Sequence, residues 1–565
     1  MKNIFALAAL LFSSGMFAQP FPKDYFRNPL DIPILLAGNF GECRPNHFHT
    51  GLDFKTNERE NLRVSAAAEG FVSRISISHS GYGNALYIQH PNGYTTVYAH
   101  LNDFFPALQQ YVVAKQYELE RWNIDIQLKE DEFPVTSGQF IAFSGTTGGS
   151  TGPHLHFEIR DTRSEHVLNA ALFGLPIKDT KPPVPYKLAL YQAGSIYQQE
   201  PRILPLKKSG TSYTTSTPLI KTPSQQVRLA VFADDFMEGS PNKLGVHAMK
   251  LFMDGNQMAS WQLDEIDFDL NRYVNAFADF RLKSLQKDWF QTLFRIPGNH
   301  LNSYTFLNER NGALELTAAK LHNVKIELWD VMGNRSEIAF QLQWNPEAQP
   351  PSSSACAEIW TAGKSNSVQT PNLSFSVGEK ALYDDLCFKF TETPSTVHWS
   401  SVVQIMGTEY PLQTYSELRL KLNKLLPFEL RTKLVFVHHI RAASLPGNNP
   451  QTAMAARFDK GWAVADVRTF GNYYVTVDTI PPQIIPHKNN NNASSSKLQF
   501  TVTDKLTSVK DFRAELDGKW LRFVRTGNTY TYVFDQRCAK GKHVLTIKAR
   551  DENDNESVFV YNFTR

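Results

Sequence analysis

His47-Phe-His-Thr-Gly-Leu-Asp-Phe54 and, further along, Gly152-Pro-His-Leu-His-Phe-Glu158 decide how this chain folds. Side chains of an extended segment point alternately to opposite faces. His47, His49, Gly51 and Asp53 then share one face, and Phe48, Leu52 and Phe54 share the other. In His154-Leu-His156 both imidazoles project one way while Leu155 points into a core. The period of two predicts strands with an apolar side buried and a polar side bearing histidines. Two histidines and one carboxylate on facing strands make a zinc set, three protein ligands with a fourth position left for water. A lone histidine is more often a packed or surface residue, and an isolated His-x-His is common. The combination with Tyr98-Ala-His-Leu101, each motif beside strand signals, has no economical structural explanation.

Composition agrees with a β protein and removes other classes. The chain has 565 residues, which predicts about four domains. Hydrophobic residues are 42% and charged ones 20%, values of packed globular protein. Aromatics reach 12%, with 39 Phe and 21 Tyr, side chains suited to half-buried pleated surfaces. The net charge of +3 argues against a nucleic-acid partner. Coiled coil, collagen and a multi-pass membrane protein are excluded on the same grounds.

Lys2 and Asn3, an apolar run from Ile4 to Phe12 and small residues up to Ala18 read as a secretory signal peptide over residues 1–18. The run is shorter than the ~20 apolar residues that span a bilayer, so cleavage after Ala18 is expected. No cysteine lies there to carry a lipid, and no later stretch resembles a transmembrane helix. An exported protein, periplasmic or extracellular, follows. Cys43, Cys356, Cys387 and Cys538 allow three complete pairings, with Cys356 and Cys387 the favoured pair because they share a segment. The chain has no CxxC motif for a thiolate metal cage.

Two stretches, 345–354 and 488–497, hold little to bury and read as linkers. A faint repeat surrounds the second half. Asp179-Thr-Lys-Pro-Pro183 is echoed by Asp478-Thr-Ile-Pro-Pro482, and Arg228–Asp234 parallels Leu498–Asp504. Met253-Asp-Gly255 parallels Leu516-Asp-Gly518, and Ile326–Asp330 with Gly333-Asn334 parallels Ile547–Asp551 with Asp554-Asn555. Alternating strands joined by Asp-Gly or Gly-Asn turns read as immunoglobulin-like β-sandwiches at 179–345 and 478–565, with a β-rich module at 355–477 between them. The fold class is mainly β, a compact antiparallel sheet domain at 19–178 followed by sandwiches. One helix is predicted over Pro106–Trp122, with Leu108, Tyr111, Val112, Leu119 and Trp122 on one face.

Residues from about 35 to 175 resemble a known family, the lysostaphin-type zinc metalloendopeptidases that cut peptidoglycan cross-bridges. The residues that carry the resemblance are His49-Thr-Gly-Leu-Asp53, Gly81-Tyr-Gly-Asn84, Thr96-Val-Tyr-Ala-His-Leu101 and Ser144–Glu158, spanning about 35–175. The resemblance implies a compact β-sheet peptidase core with a narrow groove. It implies Zn²⁺ held by His49, Asp53 and His156, with His100 and His154 as the catalytic pair. Zinc with two neutral imidazoles and one carboxylate keeps a positive charge and lowers its water's pKa to about 7. A neutral histidine takes a proton as the scissile carbonyl is attacked. The same or the second imidazolium stabilises the oxyanion and protonates the leaving amine. Either histidine fits either task, and the His-Glu-x-x-His helix of other zinc peptidases is missing.

His47 reads as groove lining or an outer partner of the metal set, His90 as a structural strand-end residue, and His438-His439 as part of a strand. Glu158 is either an outer partner of His156 or a surface residue. An insertion over about 102–134 holds the helix and an acidic Lys129–Glu132 segment, and would be either an arm over the groove or a peripheral elaboration. The motif begins soon after the signal peptide, so no inhibitory pro-segment is expected. The functional reading is an exported enzyme acting on peptidoglycan peptide bridges, with envelope proteins as possible partners of the sandwiches. The alternatives are a catalytically silent regulator of wall hydrolases and an adhesion or glycan-binding protein built on the sandwiches.

Overall fold

In a computed structural model of the chain, strands take 48% of the residues and helices 9%, which makes the fold mainly β. Residues 21–317, 320–347, 356–439, 451–491 and 496–565 are described. The signal peptide at 1–18, residues 348–354 of the first linker stretch and residues 492–495 of the second lie outside them.

The N-terminal sheet runs, in spatial order, Leu36–Gly38, Leu52–Lys55, His154–Asp161, Tyr94–Ala99, Asn84–Gln89, Gly70–Ile77 and Ile124–Gln127. Each strand is antiparallel to the next. Phe48, Leu52, Phe54, Leu155 and Phe157 are all buried as the alternation requires. The Phe54 and Phe157 rings stack at 5.7 Å. Burying each such ring stabilises the sheet by roughly 1.5–3 kcal/mol. His47 departs from the alternation. Asn46 adopts a left-handed φ of 68°, and His47 and Phe48 pair in a hairpin with Cys43 and Arg44. The His47 ring is exposed and lies 3.0 Å from the Pro45 carbonyl, outside the histidine cluster.

The predicted helix spans Pro106–Glu118, with the proline in its first turn, where a missing N–H costs nothing. Its buried face is Leu108, Val112 and Gln116, a strict i, i+4, i+8 stripe. Leu119 caps the helix and is exposed, and Trp122 has left it to stack on His79 at 4.0 Å. The insertion then adds the edge strand Ile124–Gln127, on the far side of the sheet from Leu52–Lys55. Its helix meets the last sandwich. Arg522 Nε donates to Gln116 Oε1 at 2.6 Å, the Tyr117 ring sits edge-on to Trp520 at 5.0 Å, and the Arg537 guanidinium lies 3.8 Å over Tyr117. The exposed Arg513–Glu120 pair adds little. We expect Tyr117→Ala to cost the contact about 1–2 kcal/mol. Hydrogen exchange should quicken in both Pro106–Glu118 and Lys519–Thr526 with the rest of the chain unchanged; unchanged protection in both patches refutes the docking.

Downstream, one twelve-stranded arrangement covers the 184–344 region, two five-stranded sheets cover 366–477, and two four-stranded sheets cover 483–564. The N-terminal sheet continues into the second region, since Val167–Leu168 pairs with Glu265–Ile266. Asn39 exchanges two hydrogen bonds with Gly245, at 2.8 and 2.7 Å. One buried cluster runs from Phe26 to Val475, and a second, from Leu498 to Ala549, fills the last sandwich alone. Cys356 and Cys387 form the disulfide, while Cys43 and Cys538 are buried free thiols. His438 and His439 lie in the strand Leu434–His439.

The strand register corrects one part of the repeat. Val184 pairs with Asp234, and Gln483 pairs with Thr503. Asp235, not Asp234, is therefore the counterpart of Asp504, and a one-residue slip of this kind reverses which face a side chain occupies. Every other paired feature falls into place. Asn334 and Asn555 each grip an aspartate, and Ser336 and Ser557 each donate to a proline carbonyl, Pro183 and Pro482.

Candidate active site

His156 and Asp53 are direct cross-strand partners on His154–Asp161 and Leu52–Lys55. His49 reaches the same point from the loop ahead of Leu52. His49 Nε2, Asp53 Oδ1 and His156 Nδ1 form a near-equilateral triangle: His49–His156 3.1 Å, His49–Asp53 3.0 Å, His156–Asp53 2.9 Å. All three residues are buried. Gly51 makes the approach possible, because a Cβ there would stand 2.7 Å from the His156 ring.

Each member of the triangle is held from behind. A carbonyl only accepts, so His49 Nδ1 donates to Asn39 O at 2.8 Å and leaves Nε2 with a free lone pair. His156 Nε2 donates to Glu158 Oε1 at 2.9 Å, which leaves Nδ1 facing the triangle. Asp53 Oδ2 accepts from Arg44 Nη2 at 2.8 Å, which leaves Oδ1. Glu158 is fully buried, so its surface alternative is ruled out; it also accepts from Tyr82, Thr50 and, through two bonds, Arg160.

Electrostatics follow this geometry. Burial alone would raise the Asp53 carboxyl, yet His49 and His156 hold it well below the usual carboxylate range. Burial alone would depress His156, but Asp53 and Glu158 push it up to about 9. Burial lowers His49 by more than Asp53 restores.

The donor set fits zinc. Zinc with bonds of about 2.0–2.1 Å in a tetrahedron keeps its donors about 3.3 Å apart, close to the spacing found. Two nitrogen lone pairs and one carboxylate oxygen converge, each fixed by an outer hydrogen bond as metal-ligating residues are. Among the described residues this is one of three clusters of metal-binding side chains, and it alone contains histidine.

His100 and His154 stand beside the triangle, with ring centres 4.7 Å apart. His154 Nε2 lies 3.5 Å from Asp53 Oδ1. Both donate Nδ1–H to a carbonyl, His100 to Thr147 and His154 to Gly152, each at 2.8 Å. Both therefore carry a free lone pair on Nε2. His100 has a φ of 59°, a conformation costly for a residue with a side chain and imposed by the break between Tyr94–Ala99 and Leu101–Phe104. Burial, reinforced by His156 and His154, lowers His100 to about 3.

Residues 47–117 match peptidase family M23. The chain carries an M23 peptidase domain. The matched residues include His49, Asp53 and His100. Residues 357–478 match the Zu5-like domain, over the stretch read from the sequence as a β-rich module at 355–477. Relatives of the M23 domain include DD-carboxypeptidase/endopeptidase Mpg of Neisseria meningitidis serogroup B, 37% identical over 112 residues, covering 20% of this chain and 20% of that protein. Peptidoglycan DD-endopeptidase ShyA of Vibrio cholerae is 30% identical over 143 residues, covering 24% of this chain and 27% of its own. The chain thus spans about a fifth to a quarter of the length of these relatives. Among solved structures, the catalytic domain of lysostaphin from Staphylococcus simulans is 24% identical, with 22% of this chain and 80% of that chain covered and a TM-score of 0.17.

The sequence reading gave no role to Arg44, Asn39 or Arg160, nor to Thr50 and Tyr82, although these two lie inside its motifs His49–Asp53 and Gly81–Asn84. Arg160 had a signal, since alternation from His156 through Glu158 puts it on the same face. Asn39 and Arg44 had none, because their contacts depend on a hairpin whose register no local pattern sets. His90, buried, bonds Glu69 O and Thr96 Oγ1 and is structural. Among the described residues no helix is long and apolar enough to cross a membrane.

Proposed function

We propose that this chain is an exported zinc metalloendopeptidase that hydrolyses peptide cross-links of peptidoglycan, with His49, Asp53 and His156 holding the metal and His100 and His154 moving protons. The observation that carries the reading is the triangle of donors at 2.9–3.1 Å, each oriented by an outer partner, beside two histidines with free Nε2 atoms. When bound, zinc supplies Lewis acidity that polarises a carbonyl and lowers the pKa of water. The histidines supply the rest. Nε2 of one takes the proton that water loses as its oxygen adds to the scissile carbonyl carbon. An imidazolium N–H then stabilises the oxyanion and passes a proton to the amide nitrogen as the C–N bond breaks. The relatives named peptidoglycan DD-endopeptidase favour a DD cross-link over a glycine bridge as the bond cut. The downstream β modules would position this domain on the wall or on envelope proteins.

Protein recovered from the exported fraction should begin at Gln19 and hold about one zinc per chain. Digestion of purified peptidoglycan should yield new cleavage products by muropeptide mass spectrometry, and Asp53→Ala should abolish both the products and the zinc. Fully zinc-loaded protein that yields no new products would refute the enzyme and leave a silent regulator.

A further inference from the structure

Both copies of the repeat close on three aspartates. Asp179, Asp235 and Asp330 each bring one carboxylate oxygen within 4.8 Å of the others, and Asp478, Asp504 and Asp551 do the same. The two clusters are one design used twice. Asn334 donates to Asp330 at 2.8 and 2.6 Å and to the Asp179 carbonyl at 3.1 Å. Asn555 donates to Asp551 at 2.8 and 2.7 Å and to the Asp478 carbonyl at 3.0 Å.

A second observation separates these clusters from ordinary acidic patches. Asp235 is only 3% exposed, and its Oδ1 is buried with no hydrogen-bond partner. Asp504 Oδ2 in the other copy is orphaned in the same way. No described lysine, arginine or histidine is ion-paired with any of the six carboxylates. The nearby Lys181 ammonium is used elsewhere, on the Met237 carbonyl at 3.0 Å. In each cluster two of the three aspartates are buried and the third half-buried, and one oxygen is left without a partner. Carboxylates crowded together without a counter-ion are costly, and proteins keep them where a cation binds.

The donors choose the cation. Three carboxylates without imidazole or thiolate select a hard divalent ion over zinc. Calcium takes oxygen donors at about 2.3–2.6 Å in flexible geometry, so donors up to about 5 Å apart share one ion. Both clusters also sit at seams between modules. The cavity beside the first is lined by Leu36, Asn39 and Phe40 of the M23 domain together with Asp179 and Asp235. At the second, Asp478 N donates to Lys433 O at 2.8 Å, and Asn553 Nδ2 donates to Leu434 O at 3.0 Å. We infer that the two aspartate triads are calcium sites, each fastening a β-sandwich repeat to the module before it.

The test uses full-length, zinc-loaded protein titrated with CaCl₂ by calorimetry, with Tb³⁺ luminescence as a second reading and MgCl₂ as the control. We expect about two Ca²⁺ per chain and a higher thermal midpoint with calcium. Asp235→Asn and Asp504→Asn keep side-chain size and relieve the charge crowding, so both should fold, and each should remove one bound ion. Absence of binding by the wild-type chain at millimolar calcium overturns the inference. So does an unchanged stoichiometry in both variants. Zinc content should stay the same throughout, which keeps the result separate from the peptidase reading.

Discussion

Replacing Glu158 by alanine is expected to destabilise the N-terminal domain by about 3–5 kcal/mol and to weaken zinc binding by about 10–100-fold. Glu158 is fully buried and takes two hydrogen bonds from Arg160, at 2.8 and 2.6 Å. Removing it strands a buried guanidinium without its counter-ion. Tyr82 and Thr50 lose an acceptor at 2.6 Å, and the His156 ring loses the bond that points Nδ1 at the triangle. Glu158→Gln keeps the shape and an accepting oxygen but lowers the charge, so it should fall between wild type and alanine on both measures. Burial opposes ionisation here, but Arg160 and His156 hold the carboxyl far below its ordinary value. A depressed carboxylate contributes stability that is complete above the unfolded-state pKa of about 4.3 and lost as pH falls towards the folded value. The gap between wild type and Glu158→Ala should therefore be full at neutral pH and shrink in acid. Denaturant midpoints and chelator competition for zinc read the two effects. A variant that matches wild type in both would show that the buried network holds neither the fold nor the metal.

The legible part of the site is the part written in short segments. His49 and Asp53 lie in one stretch and His154 and His156 in another, and the period of two places their side chains on one face of neighbouring strands. Their meeting needs only that those two strands pair, which Phe54 and Leu155 enforce from the core side. Alternation failed at His47, because Asn46 turns the backbone and starts a separate hairpin. Glu158 was legible by alternation, but two outer partners were not: Asn39 reaches the triangle from the turn after Leu36–Gly38, and Arg44 from that same separate hairpin. At longer range, the helix was readable but its surroundings were not. Leu119 and Trp122 match an apolar stripe, yet the chain leaves the helix there, and the helix meets a sandwich 406 residues away through Gln116, a polar residue that periodicity would set aside. The repeat shows the limit most sharply. Sequence similarity aligned Asp234 with Asp504, and only strand register shows that Asp235 occupies the triad.

The second large effect separates proton transfer from metal binding. His100→Ala and His154→Ala are each expected to lower kcat by about 10²–10⁴-fold while zinc content stays at the wild-type level, because general acid–base catalysis is worth that much and neither ring belongs to the donor triangle. The two carbonyls that fix Nδ1–H, Thr147 O and Gly152 O, set both Nε2 lone pairs free for a proton. Asn is the informative second substitution, since its amide nitrogen can reproduce the hydrogen bond to the carbonyl without offering a basic nitrogen. Loss of turnover in His154→Asn with an intact fold and full zinc assigns the proton to the imidazole rather than to loop positioning. The exposures differ in a useful way, with His154 15% exposed at the side chain and His100 almost buried. His154 is therefore the group open to an incoming peptide, and its loss should raise KM as well as lower kcat, whereas the loss of His100 should act on kcat alone. Zinc analysis beside steady-state kinetics on peptidoglycan fragments decides the matter: a His154 or His100 variant that sheds its zinc belongs to the metal set, and one that keeps both zinc and turnover has no part in the reaction.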